Sequence, residues 1–151
     1  SDGPRIRTAP VPEIELLYSE SCSIESCEII PETPLQIQAS GGMYDIILKA
    51  KLDRVSYIEI VIHGVSVVYD AGKELLSCAD KDARLSPDNG CIDLRIVVDR
   101  LSLEIFAAEG LVYMPMRVRF DPSVGGITVR TCGGSAYIKS SNIHTLKSMS
   151  R

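Results

Sequence analysis

From Tyr44 onward, apolar and polar residues take turns along the chain with a period of two, the spacing of a half-buried strand. Tyr44, Ile46, Leu48, Ala50 and Leu52 share one face, with Asp45, Lys49 and Lys51 on the other. Ile58, Ile60 and Ile62 alternate with Glu59 and His63. The same signal predicts strands at 65–69, 75–78, 92–99, 102–107, 112–119, 127–132 and 136–139, separated by Gly, Asp and Asn turns. Half-polar strands at short intervals predict an all-β fold: a two-sheet antiparallel β-sandwich, jelly-roll or lectin-like, of about ten strands. Pro115 interrupts a strand pattern and should lie at an edge or bulge, because it has no N–H for the ladder. One short N-terminal helix precedes the strands. Pro12 suits its first turn, Glu13 and Glu15 its positive end, and Ile14, Leu17 and Tyr18 its apolar stripe, before Ser19 to Ser23 ends it. Residues 1–31 read as a connector with this linker helix, and 32–151 as the sandwich module.

Composition narrows the partners. The 151 residues are 45% hydrophobic and 24% charged, with a net charge of −4, which fits one folded domain and excludes a disordered chain. Lys and Arg are scattered, so no nucleic-acid partner is expected. No apolar run approaches the ~18 residues of a membrane span, so no membrane partner is expected either. The five cysteines are Cys22, Cys27, Cys78, Cys91 and Cys132, and the two histidines lie far from them in sequence. No zinc pattern results, and neither a metal nor a cofactor is expected. Free, mostly buried thiols are the expected state, with a cross-strand Cys78–Cys91 disulfide as the alternative. The compartment stays open.

The most informative stretch is RIVVDRLSLEIFAAEG, from Arg95 to Gly110. With a tight turn at Arg100-Leu101, Val98 faces Leu103 and Ile96 faces Ile105 on the core side. Arg95, Asp99 and Glu104 then fall on the opposite face, with Arg95 diagonal to Glu104 and within pairing reach. At the next turn, Ala108-Glu109-Gly110, Gly110 can take a positive φ. These charges build a hairpin face. They supply no concave pocket with opposed carboxylates, so no catalytic residue is assigned.

This hairpin resembles the signature of the C-terminal β-sandwich of glycoside hydrolase family 32, the invertases, levanases, inulinases and sucrose-6-phosphate hydrolases. The resemblance rests on Val98-Asp99-Arg100, Ser102, Glu104, Ile105, Phe106 and Gly110. GPRIRTAPVPEIELLY resembles the segment leading from that family's catalytic domain, and YIKSSNIHTLKSM its closing strand. The resemblance implies a non-catalytic, stabilising module of a fructan- or sucrose-cleaving enzyme, with a preceding five-bladed catalytic propeller as partner. An independent fructan-binding module is the alternative, and a homodimer and fructan are further candidate partners. The resemblance leaves the parent's compartment open between secreted, periplasmic and cytoplasmic. The family's catalytic Asp and Glu motifs have only echoes here. In Arg119-Phe120-Asp121-Pro122, Phe stands before Asp-Pro, and a Ser intervenes in Glu20-Ser21-Cys22 and Glu25-Ser26-Cys27. The resemblance also implies that Ser1 is a cut start. Ile6, Val11, Ile14 and Leu17 are then expected to be partly exposed, folded back on the sandwich or buried in a dimer, unless residues 1–12 are disordered.

Other motifs read as structure. Gly41-Gly42, Gly125-Gly126 and Gly133-Gly134 precede no helix and are turns rather than phosphate cradles. Asp80, Asp82, Asp88 and Asn89 lack calcium-loop spacing and make a solvated hairpin loop. His63 is a hydrogen-bonded strand residue. Tyr44, Tyr57, Tyr69, Tyr113 and Tyr137 serve packing, with Tyr57 and Tyr113 the candidate sugar contacts.

Overall fold

A computed structural model describes residues 7–39, 41–121 and 123–147. Their strands, in chain order, are β1 Tyr18–Ile24, β2 Cys27–Ile29, β3 Leu35–Ile37, β4 Tyr44–Asp53, β5 Tyr57–Ile62, β6 Val65–Asp70 and β7 Leu75–Cys78. β8 Lys81–Arg84, β9 Cys91–Val98, β10 Ser102–Ala107, β11 Val112–Arg117, β12 Ile127–Cys132 and β13 Ser135–Leu146 complete them. A 3-10 helix, Pro12–Leu17, leads in, with Pro near its start and Glu13 and Glu15 in its first turn. The first sheet runs β1-β13-β4-β9-β10-β11, with β2 also on β13, and the second β3-β12-β5-β6-β7-β8. Every pairing is antiparallel.

The core follows from the alternation. Ile58, Ile60, Ile62, Val67, Tyr69 and Leu76 of the second sheet join Tyr44, Ile46, Leu48, Ile96, Leu103 and Ile105 of the first in one buried cluster. Each such aliphatic side chain contributes about 1.5–3 kcal/mol through removal from water. The two sheets are also tied near opposite edges. Lys81 Nζ on β8 donates to the Pro115 carbonyl on β11 at 2.6 Å, and Thr131 Oγ1 on β12 donates to the Ile29 carbonyl on β2 at 3.5 Å. Pro115 lies on the edge strand β11, opposite Glu104 of β10.

The hairpin register agrees with the alternation: Leu103 pairs with Val98 and Ile105 with Ile96. Two bulges shift the phase elsewhere. Ser19 is an extra residue between the pairs Tyr18–Leu146 and Glu20–Thr145, and Lys139 between Ile138–Ala50 and Ser140–Lys49.

Four expectations are corrected. There are more strands than about ten, because β1, β2, β3 and β8 are short or polar and carry little apolar alternation. β1 and β2 pair with β13, so the first sheet already begins at Tyr18. Cys78 and Cys91 form no disulfide, since β7 and β9 belong to different sheets, and all five thiols are free. Of the five, Cys78 and Cys91 are buried and Cys27 is half-buried, whereas Cys22 and Cys132 are exposed, against the expectation of mostly buried thiols. Arg95 pairs with Asp45 of β4 rather than with Glu104, because Glu104 is engaged by Tyr113 of β11.

Core packing and turn exposure separate two substitutions in one hairpin. Ile105→Ala, at a fully buried position, should destabilise the domain by about 2–5 kcal/mol in urea unfolding. Leu101→Ala, at a side chain 63% exposed in the turn, should stay within about 0.5 kcal/mol of the unchanged chain.

Candidate functional site

Alternation in β10 sends Leu103, Ile105 and Ala107 into the core, and so turns Glu104 and Phe106 to the outer face of the first sheet. An outward phenylalanine should be wet, yet Phe106 is only 6% exposed. Its cover has two parts. Tyr113 of β11 stacks on it with ring centroids 5.0 Å apart. The segment Arg7–Val11 and the 3-10 helix, here called the strap, run over the same face, and Thr8, Ala9 and Pro10 border clefts shared with Phe106.

The strap is held at three places. Thr8 N–H donates to the Gly110 carbonyl at 2.8 Å. Arg7 Nη1 lies 3.3 Å from both the Glu109 carbonyl and its carboxylate. Lys147 N–H donates to the Leu17 carbonyl at 2.7 Å, and Ile14 is buried between these ends. The receiving turn is unusual: Ala108, Glu109 and Gly110 all have positive φ, 51°, 55° and 90°. That conformation costs an L-residue about 1–2 kcal/mol. At Gly110 no side chain would fit, since a Cβ would sit 2.5 Å from the Thr8 carbonyl oxygen.

Between strap and sheet lies a cleft of about 660 Å³, walled by Val11, Ile14 and Leu17 of the strap, Val97 and Phe106 of the sheet, and Leu146. Val11, Leu16 and Tyr113, all bordering it, are 66%, 77% and 40% exposed. Glu13, Asp99 and Glu104 line it, and the last two are engaged structurally. Tyr113 donates a short hydrogen bond to Glu104, which raises the phenol pKa, and Asp99 accepts from the Arg100 amide at 2.7 Å.

Beside the strap the same face buries a charge. Asp45, fully buried, receives Arg95 Nε at 3.0 Å, Arg95 Nη2 at 2.6 Å and the Tyr18 hydroxyl at 2.5 Å. The bidentate fork and the phenol satisfy both carboxylate oxygens. Tyr18 also stacks on His144 with centroids 3.9 Å apart, and His144 Nδ1 meets Ser21 Oγ at 2.6 Å. Burial, then the bond to Asp45, pushes the Tyr18 phenol up to about 12. Sequence reasoning placed Asp45 on a wet face. Its only signal was an acid between the core residues Tyr44 and Ile46, and strands β4 and β9 become neighbours only in the fold.

The other candidates scatter. Ser102 starts β10, and its carbonyl accepts the Asp99 amide at 2.9 Å, closing the Arg100-Leu101 turn. Tyr57 lies on β5 of the second sheet, paired with Cys132, and Tyr113 on β11 of the first, so the two are not brought together. Tyr44 and Tyr69 are core residues, the latter bonded to the Leu85 carbonyl at 2.6 Å. Tyr137 is 43% exposed. His63 sits in a turn at φ 44° rather than in a strand, between the Tyr44 hydroxyl at 2.8 Å and the Val124 carbonyl at 2.9 Å. Asp82 belongs to β8, a strand where a loop was expected. Asp121 is a turn acid, its pKa lowered by hydrogen bonds from the Ser123 hydroxyl and amide; Pro122 lies outside the described residues. Val11 is exposed, Ile14 buried and Leu17 half-buried, while Ile6 lies outside the described residues.

Comparison with known proteins supplies the context. A family model described as glycosyl hydrolases family 32 C terminal matches residues 14–145. A levanase of Bacillus subtilis (strain 168) is 28% identical over 171 aligned residues, covering 97% of this chain and 25% of the levanase. Among solved structures, fructan 1-exohydrolase IIa from Cichorium intybus is similar at a TM-score of 0.75 and 14% identity, over 96% of this chain and 38% of that one. Exo-inulinase from Aspergillus awamori gives 0.74 at 16% identity, over 94% and 32%. These likenesses share the fold, and the chain spans about a quarter to two-fifths of the relatives' lengths.

The half-buried Tyr18 phenol yields a pH test. A pKa raised from 10.0 to about 12 means that the fold favours the neutral phenol. Its contribution to stability is therefore intact below pH 10 and lost as the pH climbs through 12. Tyr69, also pushed up to about 12 by burial, should contribute to the same decline. Tyr18→Phe should lower stability at neutral pH by about 1–3 kcal/mol and make the decline above pH 10 shallower, as followed by denaturant unfolding.

Proposed function

The chain belongs to the C-terminal domain family of family 32 glycosyl hydrolases, and we propose that it is the non-catalytic, stabilising β-sandwich of an enzyme that cleaves fructans or sucrose. Its proposed partner is the catalytic five-bladed propeller of such an enzyme. The observation that carries this reading is the apolar cleft on the outer face of the first sheet, with Val11 and Leu16 exposed at its border. Apolar side chains gathered at a cleft mark a protein contact better than a subsite for a hydroxyl-rich ligand. The carboxylates Asp99 and Glu104 hold a turn and a tyrosine there. In this role Asp99, Arg100, Ser102, Glu104, Phe106 and Gly110 work structurally, as turn, strand and strap contacts.

Two measurements on the purified chain test the proposal. Incubated with sucrose, levan or inulin, it should release no fructose above the blank, and turnover would overturn the non-catalytic reading. Titrated calorimetrically with fructo-oligosaccharides, it should give only heat of dilution. Saturable heat, lost in Tyr57→Ala or Tyr113→Ala, would instead favour a fructan-binding module.

A further inference from the structure

The turn at Ala108–Gly110 has more structure than a hairpin closure needs. A three-residue hairpin loop requires one left-handed residue, and this one has three in succession. The excess is matched by contacts to the strap. The turn presents the Gly110 carbonyl to the Thr8 amide and the Glu109 carbonyl and carboxylate to Arg7, and it brings the bare Gly110 Cα against the Thr8 backbone. The sequence separation is 102 residues, so the turn acts on a distant segment rather than on its own hairpin.

We propose that this turn is a clamp for the strap, and that the clamp assembles the apolar cleft. The cleft has two walls: the sheet contributes Val97 and Phe106, and the strap contributes Val11, Ile14 and Leu17. With the strap released, the second wall is gone and Phe106 keeps only the cover of Tyr113, although the sandwich core, on the other side of the sheet, keeps its contacts. Gly110 is thus a positioning residue for the module's contact surface. That a catalytic propeller uses this surface rests on the preceding reading; that the clamp builds it does not.

Hydrogen exchange of the full chain, read by mass spectrometry over residues 11–17 and over β9 and β10, tests the clamp. Gly110→Ala places a methyl against the Thr8 carbonyl, and Thr8→Pro removes the donated N–H while leaving the turn alone. Both should speed exchange in residues 11–17 by about tenfold or more, with β9 and β10 unchanged. Gly42→Ala, where an added Cβ meets nothing within 4 Å, should match the unchanged chain. Strap exchange unaltered in both variants would overturn the proposal. So would global loss of protection in both, since the clamp would then be part of the core fold. If Gly110→Ala alone unfolds, Thr8→Pro decides. Failure of the chain to bind any propeller would leave these results as they stand.

Discussion

Everything in this molecule depends on two sheets hiding one apolar face each against the other. Strands β5 and β6 bring Ile58, Ile60, Ile62 and Val67, and strands β9 and β10 bring Ile96, Leu103 and Ile105. A strand that slipped by one residue would present its polar set to this layer, so packing enforces the register that hydrogen bonding alone leaves open. The ties at the edges, Lys81 to Pro115 and Thr131 to Ile29, are minor by comparison and close the layer where the alternation runs out.

The outer face of the first sheet departs from the ordinary half-wet pattern. It holds a buried carboxylate, Asp45, and a covered aromatic ring, Phe106. A buried ion pair is poor evidence of stability in itself, because desolvation offsets its attraction. What Asp45 does secure is position. Arg95 comes from β9 and Tyr18 from the junction of strap and β1, so the three groups bind the entering chain to the middle of the sheet. The clamp at Gly110 holds the strap's other end. The strap is thus fixed at both ends over a surface that the sandwich core does not need covered.

Much of this was legible in the sequence where one signal sufficed. The strands with clear alternation, the Val98–Leu103 and Ile96–Ile105 pairs and the outward phase of Glu104 all follow from period two. Pro115 announced an edge through its missing N–H. The failures have a common cause. β1, Ser-Glu-Ser-Cys-Ser at its centre, has no apolar phase to read, and β13 lost its phase after Lys139, where the bulge reverses it. The burial of Asp45, the true partner of Arg95 and the cover over Phe106 each depend on which distant segments become neighbours. Local patterning carries no information about that adjacency.

The bulge at Lys139 has a consequence for how this domain can change over time. Before it, Ala136 and Ile138 face inward; after it, Ser141 and Ile143 do, an odd step where an even one is the rule. The closing strand is therefore two short frames joined by one inserted residue. Losing that residue would join the two frames into one regular strand, with Ser141 and Ile143 still opposite Leu48 and Ile46. A loss beyond the bulge, between Ser141 and Ile143, would instead move Ile143 to the polar phase. Lineages carrying this domain should tolerate loss of one residue at Lys139 and almost none between Ser141 and Ile143.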